Sequence, residues 1–499
     1  MFKDHPKGLY VLFFTEMWER FGFYTMLSIF VLYLGENFHW SDTTTGNVYG
    51  LFLGGVYFTP LIGGWLADNI FGYSKTIIMG ALTLAIGYAL MAVPTKETSF
   101  LYFALVVVVI GNGLFKANIS VLVGNLYSHA NGSLKDAAYN IFYMGINVGA
   151  FFAPFGADAI KNFMMNNFHA TLAEGYNAAF GLAAFGMLLS IVVFTVFRKH
   201  YKEADYKSKD KGNEHRDIVL TKKQEKDRIV ALITIFAIVI FFWMIYYQNG
   251  FTLTLFAKNY TVSSVGKWTY LLFDPIGLFA IIAIVLGLAG IINKKTSGKL
   301  KTWSGIVVVV ALAIDIYKLN TLPSSNPIAP ELFQSFNPMF IVFLTPIIVG
   351  TFAWLNKRKK EPSTPGKMGL AMVITAFAYL IMIFAAYGLP KIVPNTVQNF
   401  GHVTPYWLIS TYFVMTIAEL FLSPMGLSFV SKVAPPRMKG LMMGGWFVAS
   451  AVGSYLAGFI GRFYQDWQLW QFFLFLLITS LISACLVLIF LKRLRRATE

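Results

Sequence analysis

The sequence predicts an all-α polytopic membrane protein of about fourteen spanning helices, arranged as two six-helix halves with an inserted helix pair. Three observations carry that prediction. Apolar runs of about twenty residues recur along the whole chain, each long enough to cross a bilayer as a helix. Only 13% of residues are charged while 57% are hydrophobic; a soluble domain carries about a quarter charged residues. Lysine and arginine gather in the links between alternate runs, which marks those links as cytoplasmic. The same distribution accounts for the net charge of +16. No basic face interleaved with aromatics accompanies it, so it is a topology signal and not a nucleic-acid surface.

The first run, about Leu9 to Leu34, leaves the cytoplasm if Lys3 and Lys7 stay inside. It is no cleaved signal, being too long and holding Glu16, Glu19 and Arg20. The second, about 47–67, returns and ends in a Gly63-Gly64 pair followed by Asp68, Gly72 and Lys75. Runs three to six are about 76–93, 100–122, 137–160 and 177–197, with Lys135 and Asp136 in the link before the fifth. From Arg198 to Arg228 the chain is dense in Lys, Glu and Asp and reads as a solvated link. Eight runs follow, at about 229–256, 268–292, 303–319, 332–355, 369–387, 406–430, 441–460 and 469–491. Lys294, Lys295 and Lys299, then Lys357 to Lys360, then Lys432, Arg437 and Lys439, then the basic tail, fall on the positive side. The expected organisation is a bundle at 1–200, a cytoplasmic link at 201–227, and a second bundle at 228–499 with the extra pair at about 268–319. Two packed halves with a site near the midplane are a transporter plan. No phosphate-binding loop, metal-ligand cluster or nucleophile elbow stands out, so the sequence points away from an enzyme, an ATP-driven pump, a cofactor or a metal. No repeated filter segment argues for a channel. Cys485, the one cysteine, lies in the last run and reads as packing.

Polar residues inside the runs carry the chemistry. Glu16, Glu19, Arg20 and Tyr24 share one helical face. Exposing such charges to lipid costs a few kcal/mol each, so that face looks into a wet interior. Two carboxylates against one fixed cation leave one carboxylate in excess, the arrangement of a proton carrier; the alternative is a structural ion-pair knot. Lys116 lies about six residues, roughly 9 Å, from the polar end of its run, deep for a snorkelling lysine. It is predicted to answer a first-helix acid or an anionic substrate. Glu419 is the other deep acid, with Ser423 one turn on and Pro424 placed to kink the helix. Tyr143 and Asn147 share a face, and Asn337 precedes Pro338; either asparagine could serve as interhelical glue instead of substrate contact. Tyr24, Tyr57, Trp243 and Trp446 are candidate pocket aromatics. A cavity with Arg20 and Lys116 at one pole and Glu419 at the other suits a zwitterion such as a short peptide, whose amide an asparagine can bond in both senses. A fixed carboxylate disfavours a purely anionic solute.

On these residues the chain resembles the proton-coupled oligopeptide transporter family of the major facilitator superfamily, over nearly its whole length. Glu16, Glu19, Arg20, Phe21 and Tyr24 meet the family's first-helix motif E-x-x-E-R-F-x-Y-Y. Gly64, Asp68, Gly72 and Lys75 resemble the superfamily loop after the second helix. Gly111 to Lys116 and Phe142 to Asn147 resemble two further signatures, and Asn337-Pro338 and Glu419 with Ser423-Pro424 those of the C-terminal half. The resemblance implies the major facilitator fold and proton-driven import of di- and tripeptides by alternating access. It implies a monomer in the cell (inner) membrane, with both termini cytoplasmic and no cofactor. By it, Glu16, Glu19, Arg20 and Lys116 couple protons. Arg20 and Lys116 receive the peptide carboxylate, Glu419 the amino terminus, and Asn147 and Asn337 the backbone. Tyr24, Tyr57, Trp243, Ser423 and Trp446 complete the substrate site, and Gly64, Asp68 and Gly72 brace a cytoplasmic gate. The rival within the fold is another small solute: nitrate, an amino acid or a drug.

Three departures stand out. Phe23 replaces the first tyrosine of the motif's closing pair, which is expected to remove a hydroxyl from the site. Tyr246 and Tyr247 precede Gln248 where the family often has an acid, so a salt bridge to Arg20 is unavailable and the outer gate closes differently. The extra pair follows the seventh helix instead of sitting between the halves.

Overall fold

Each apolar run folds as a helix, because inside a bilayer the backbone can satisfy its N–H and C=O groups only within itself. The computed structural model describes residues 5–127, 132–205, 221–293, 297–391, 402–435 and 438–496. Lys3, Lys294, Lys295, Arg437 and most of the 201–227 link lie outside those residues, as do the side chains of Lys135, Asp136 and Lys439. The first group is α1 (Lys7–Phe38), α2 (Asp42–Leu66), α3 (Tyr73–Met91), α4 (Thr98–Asn125), α5 (Gly132–Phe168) and α6 (Leu172–Val196). After the link come α7 (Lys222–Tyr246), short α8 (Thr252–Tyr260), one-turn α9 (Lys267–Tyr270), α10 (Pro275–Ile292) and α11 (Gly298–Thr321). Then follow α12 (Phe336–Lys357), α13 (Thr364–Ala386), α14 (Tyr406–Val433), α15 (Lys439–Gly461), one-turn α16 (Phe463–Asp466) and α17 (Leu469–Arg496).

Twelve helical segments among the described residues are long and apolar enough to cross a membrane. The other two long helices, α1 and α5, have 32 and 37 residues. Polar residues dilute them: Glu16, Glu19 and Arg20 in α1, and Asn140, Tyr143 and Asn147 in α5. α1 is wedged between α5 and α6, which keeps its charges from lipid. α3 packs on α4 and α6, and α2 on α4. In the second group α13 packs on α14 and α17, α7 on α15 and α17, and α12 on α14. The groups meet along α2–α15 and α5–α12. The inserted α10–α11 hairpin packs mainly on itself, where Gly287 and Gly290 face Val308 and Ser304. A two-residue antiparallel ladder, β1 (Ser264–Val265) with β2 (Asn326–Pro327), closes its base. Phe279 of α10 stacks on Phe152 of α5, so the hairpin also touches the first group.

Several sequence expectations change. The seventh run is not one helix: a 3-10 turn at Tyr247–Gly250 separates α7 from α8, and at its end Gly250 lies where a Cβ would stand 2.4 Å from the Tyr49 hydroxyl. The run at 268–292 breaks at Asp274, whose side chain caps α10 by accepting from the Gly277 N–H at 2.8 Å and also pairs with Lys318 at 2.8 Å. The chain after α2 is no open loop but a π-helical turn, Ala67–Phe71. Cys485 is exposed on the outer face of α17 and does not pack in the core.

Close helix approach depends on glycine at particular positions. A Cβ on Gly63 would lie 1.9 Å from the Gly113 carbonyl oxygen, whereas one on Gly64 would meet only the Ala117 Cβ at 4.0 Å. The family-like glycine of the α2 end is therefore not the one that sets the α2–α4 contact. We expect Gly63→Ala to cost about 1–3 kcal/mol through overpacking, read as a lower melting temperature of the detergent-solubilised protein, while Gly64→Ala leaves it unchanged.

Candidate functional site

Between the two groups lies a cavity of about 300 Å³, at the small end of the roughly 300–1,000 Å³ that encloses small solutes. From the first group Glu16, Arg20, Tyr24, Tyr57, Lys116 and Asn147 line it. From the second come Trp243, Asn337, Glu419, Ser423 and Trp446. Every candidate binding residue read from the sequence therefore reaches one chamber. Glu19 does not; it is fully buried behind Arg20. Gly64, Asp68 and Gly72 lie away from the chamber, at the α2–α3 turn. There Asp68 accepts a hydrogen bond from the Tyr73 hydroxyl at 2.5 Å, and Gly72 has φ +83°, a conformation that costs glycine little.

The cationic pole is built on α1, α4 and α5. Arg20 is ion-paired through Nε to Glu19, its Nη2 donates to the other Glu19 oxygen at 2.6 Å, and Glu16 Oε1 stands 3.3 Å from Nε. Glu16 Oε2 is buried without a hydrogen-bond partner among the described residues. Asn112 accepts from Arg20 at 3.4 Å and donates to the Val56 carbonyl at 2.8 Å. Its neighbours make that position possible: a Cβ on Gly111 would be 2.6 Å from the Leu84 nitrogen, and one on Gly113 2.5 Å from the Thr59 Cβ. α4 is thus clamped between α3 and α2. Gly149 serves α5 in the same way, since a Cβ there would stand 2.2 Å from the Met17 carbonyl oxygen; this close approach brings Asn147 into the chamber wall. The Lys116 ammonium sits 4.1 Å above the Tyr57 ring, a cation–π contact, and no carboxylate among the described residues is within ion-pair distance of it. Phe23 does not line the chamber. It is buried behind Arg20, 5.0 Å from the guanidinium to ring centroid, so the hydroxyl lacking at this position is lost from the back of the arginine and not from the chamber.

The acidic pole is built on α7, α12 and α14. Glu419 accepts hydrogen bonds from the Tyr246 hydroxyl and from Asn337 Nδ2, each at 2.8 Å. Asn337 also donates to the Thr416 hydroxyl at 3.0 Å. Ser423 faces the chamber but does not bond Glu419; its hydroxyl and the Trp243 indole N–H are both buried without partners among the described residues. Gly426 leaves room for Trp446, whose ring a Cβ would meet at 1.9 Å.

Sequence reasoning treated Tyr246 and Tyr247 as a missing acid. Tyr246 is instead the donor that holds Glu419, and Tyr247 stacks on Trp243 with ring centroids 5.5 Å apart. Gln334, Asn249 and Tyr412 also line the chamber; nothing in their local pattern marks them, since they face it only through the fold. At the end away from the two termini the chamber is sealed. Gln334 donates to the Ser28 carbonyl at 3.2 Å, Tyr49 donates to the Tyr247 carbonyl at 3.3 Å, and a Cβ on Gly458 would be 2.0 Å from the Gly46 oxygen. Toward the termini the lining residues Tyr143 and Leu427 stay 38% and 41% exposed, so the chamber opens to that side.

The sequence profile described as POT family (PTR2) matches residues 74–224 and 318–471. Dipeptide and tripeptide permease A of Escherichia coli (strain K12) is 28% identical over 458 residues, covering 91% of this chain and 84% of the permease. Uncharacterized transporter YclF of Bacillus subtilis (strain 168) is 30% identical over 492 residues, covering 92% of this chain and 89% of that protein. A crystal structure of a mutant peptide transporter POT in complex with alafosfalin has a TM-score of 0.75 at 26% identity, covering 100% of this chain and 96% of the other. With a family profile spanning more than half of its length and this helical architecture around a two-pole chamber, the chain belongs to the POT family of membrane transporters.

Proposed function

We propose that this chain imports di- and tripeptides together with protons, by alternating access, as a monomer in the cell (inner) membrane with both termini cytoplasmic. The working halves are residues 1–200 and 228–499, joined by the link at 201–227, with the extra pair at about 268–319 outside the transport path. The observation that carries this reading is a single chamber lined by Arg20, Lys116 and Glu16 from one half and by Glu419 from the other. A peptide laid across it puts its carboxylate near Arg20 and Lys116 and its ammonium near Glu419, and draws the halves together. Asn147 and Asn337 supply donors and acceptors for the amide. The unpaired Trp243 N–H and Ser423 hydroxyl are further contacts for bound solute. The name of the Escherichia coli relative supports the substrate class. Chamber exposure toward the termini fits a resting state open to the cytoplasm.

Proton coupling follows from two carboxylates sharing the single charge of Arg20. Glu19 and Glu16 both depend on that guanidinium. A substrate carboxylate that competes for Arg20 displaces a carboxylate, which must then take a proton to stay buried. Substrate and proton thus enter the same site together. Asp68 and Gly72 shape the cytoplasmic-side turn as part of the inner gate.

The decisive experiment is uptake into proteoliposomes of a panel of di- and tripeptides, single amino acids and nitrate, with and without an inward proton gradient. Gradient-driven accumulation of peptides alone is the expected result; accumulation of another solute, or indifference to the gradient, overturns the reading. Glu19→Gln is expected to lower gradient-driven uptake at least about tenfold while peptide exchange persists, because the arginine loses one of its two charged partners but keeps Glu16, and the chamber keeps its shape. Tyr246→Phe removes one hydrogen bond to a buried carboxylate, worth about 1.5 kcal/mol, so KM rises roughly tenfold. That rise is expected for peptides with a free amino terminus and not for N-acetylated ones.

A further inference from the structure

We propose that Lys161 and Glu331 are the latch that holds the outer entrance shut, a pair of positioning residues outside the substrate chamber. The inference rests on the alternating-access reading above. Lys161 lies near the far end of α5 in the first half. Glu331 lies in the 3-10 turn Pro330–Ser335 that leads into α12 of the second. Their side chains form an ion pair across the halves, with residue exposures of 6% and 0%. A buried ion pair contributes little net stability, yet losing one partner is strongly unfavourable. Such a pair therefore suits a contact that is either fully made or fully broken.

The surroundings are built for that use. Asp158, one turn earlier on α5, has Oδ1 2.9 Å from the Lys161 ammonium. When the halves part, Asp158 travels with Lys161 and keeps its charge paired, while Glu331 is released to water. Glu331 Oε2 has no partner among the described residues in the closed state, so hydration on opening satisfies it. Gly175, at the start of α6, makes room for the lysine stem: a Cβ there would be 2.9 Å from Lys161 Cγ. The Tyr176 ring lies 5.7 Å from the ammonium. The turn that carries Glu331 is also tied to the chamber. Gln334 docks onto Ser28 and Thr254, and Asn337, six residues after Glu331, holds Glu419. Movement of the latch is thus passed to the acidic pole along the 3-10 turn and the first turn of α12, which follow one another without a break. No carboxylate of α7 is available for this task near Arg20, since Tyr246 and Tyr247 stand at its chamber end.

The test uses spin labels at Asn167→Cys and Ser325→Cys in the full chain with Cys485→Ser, in lipid nanodiscs without substrate. The distance distribution between the outer ends of α5 and the α12 entry is read by pulsed electron resonance. Glu331→Gln leaves Lys161 paired with Asp158 and removes only the tie between halves. It is expected to raise the ratio of outer-open to outer-closed populations about tenfold or more. Lys161→Met should do the same, whereas Lys161→Arg, which retains the pair, should match the parent. Folded Glu331→Gln protein with an unchanged distribution overturns the latch. Failure of both Glu331→Gln and Lys161→Met to fold would make the pair a stability element and overturn it too. Because the labels report without any transported solute, a shifted distribution in a protein that takes up no peptide would sink the transport reading and leave the latch standing.

Discussion

One guanidinium organises this molecule. Arg20 sits in the middle of a membrane-length helix with two carboxylates on the same face, an arrangement lipid would not tolerate. α1 is therefore surrounded, by α5 and α6 behind and by the chamber in front. Tight glycines support the same cluster: Gly149 lets α5 pack directly on α1 at Met17 and Arg20, while Gly111 and Gly113 clamp α4 against α3 and α2, from where Asn112 accepts a hydrogen bond from Arg20. The second half answers with a single acid. Among the described residues Glu419 has no cation paired with it, and it is held by two neutral donors. The chamber thus keeps its two charged poles, Arg20 with Lys116 and Glu16 at one side and Glu419 at the other, apart.

Holding an acid with neutral donors has a mechanical consequence. Tyr246 and Asn337 belong to α7 and α12, so Glu419 on α14 joins three helices of one half. The ties between halves lie elsewhere, at the end remote from the termini: Tyr49 on the Tyr247 carbonyl, Gln334 on Ser28, and Lys161 on Glu331. The hydrogen bonds that hold Glu419 and the ties between the halves use different residues, linked through the short turn before α12. The inserted hairpin is peripheral to both. Its own glycine contacts hold it together, and Phe279 is its ring contact with α5.

Much of this was legible in the chain. Run length and charge distribution specify the helices and their alternation, since a bilayer leaves few ways to satisfy a backbone. Glu16, Arg20, Lys116 and Glu419 declare themselves because an ionisable group deep in an apolar run has no cheap alternative to a polar chamber. Less local facts were hidden. Phe23 reads as a chamber residue from motif position alone, yet helix rotation turns it behind Arg20. Tyr246 reads as a lost acid, although its hydroxyl reaches an acid 173 positions away. Lys161 and Glu331 sit near run ends, where charges are ordinary, and nothing local says that they meet.

By itself the sequence determined which segments enter the membrane, which buried charges require a shared interior, and that the interior is lined from both halves. Those follow from the cost of placing charge and unpaired backbone in hydrocarbon, which each segment carries alone. The tertiary structure alone decided which donors hold Glu419, which glycines set the helix spacing and which ion pair joins the halves at the end remote from the termini. These depend on the rotation and approach of helices distant in the chain, and only packing sets that geometry.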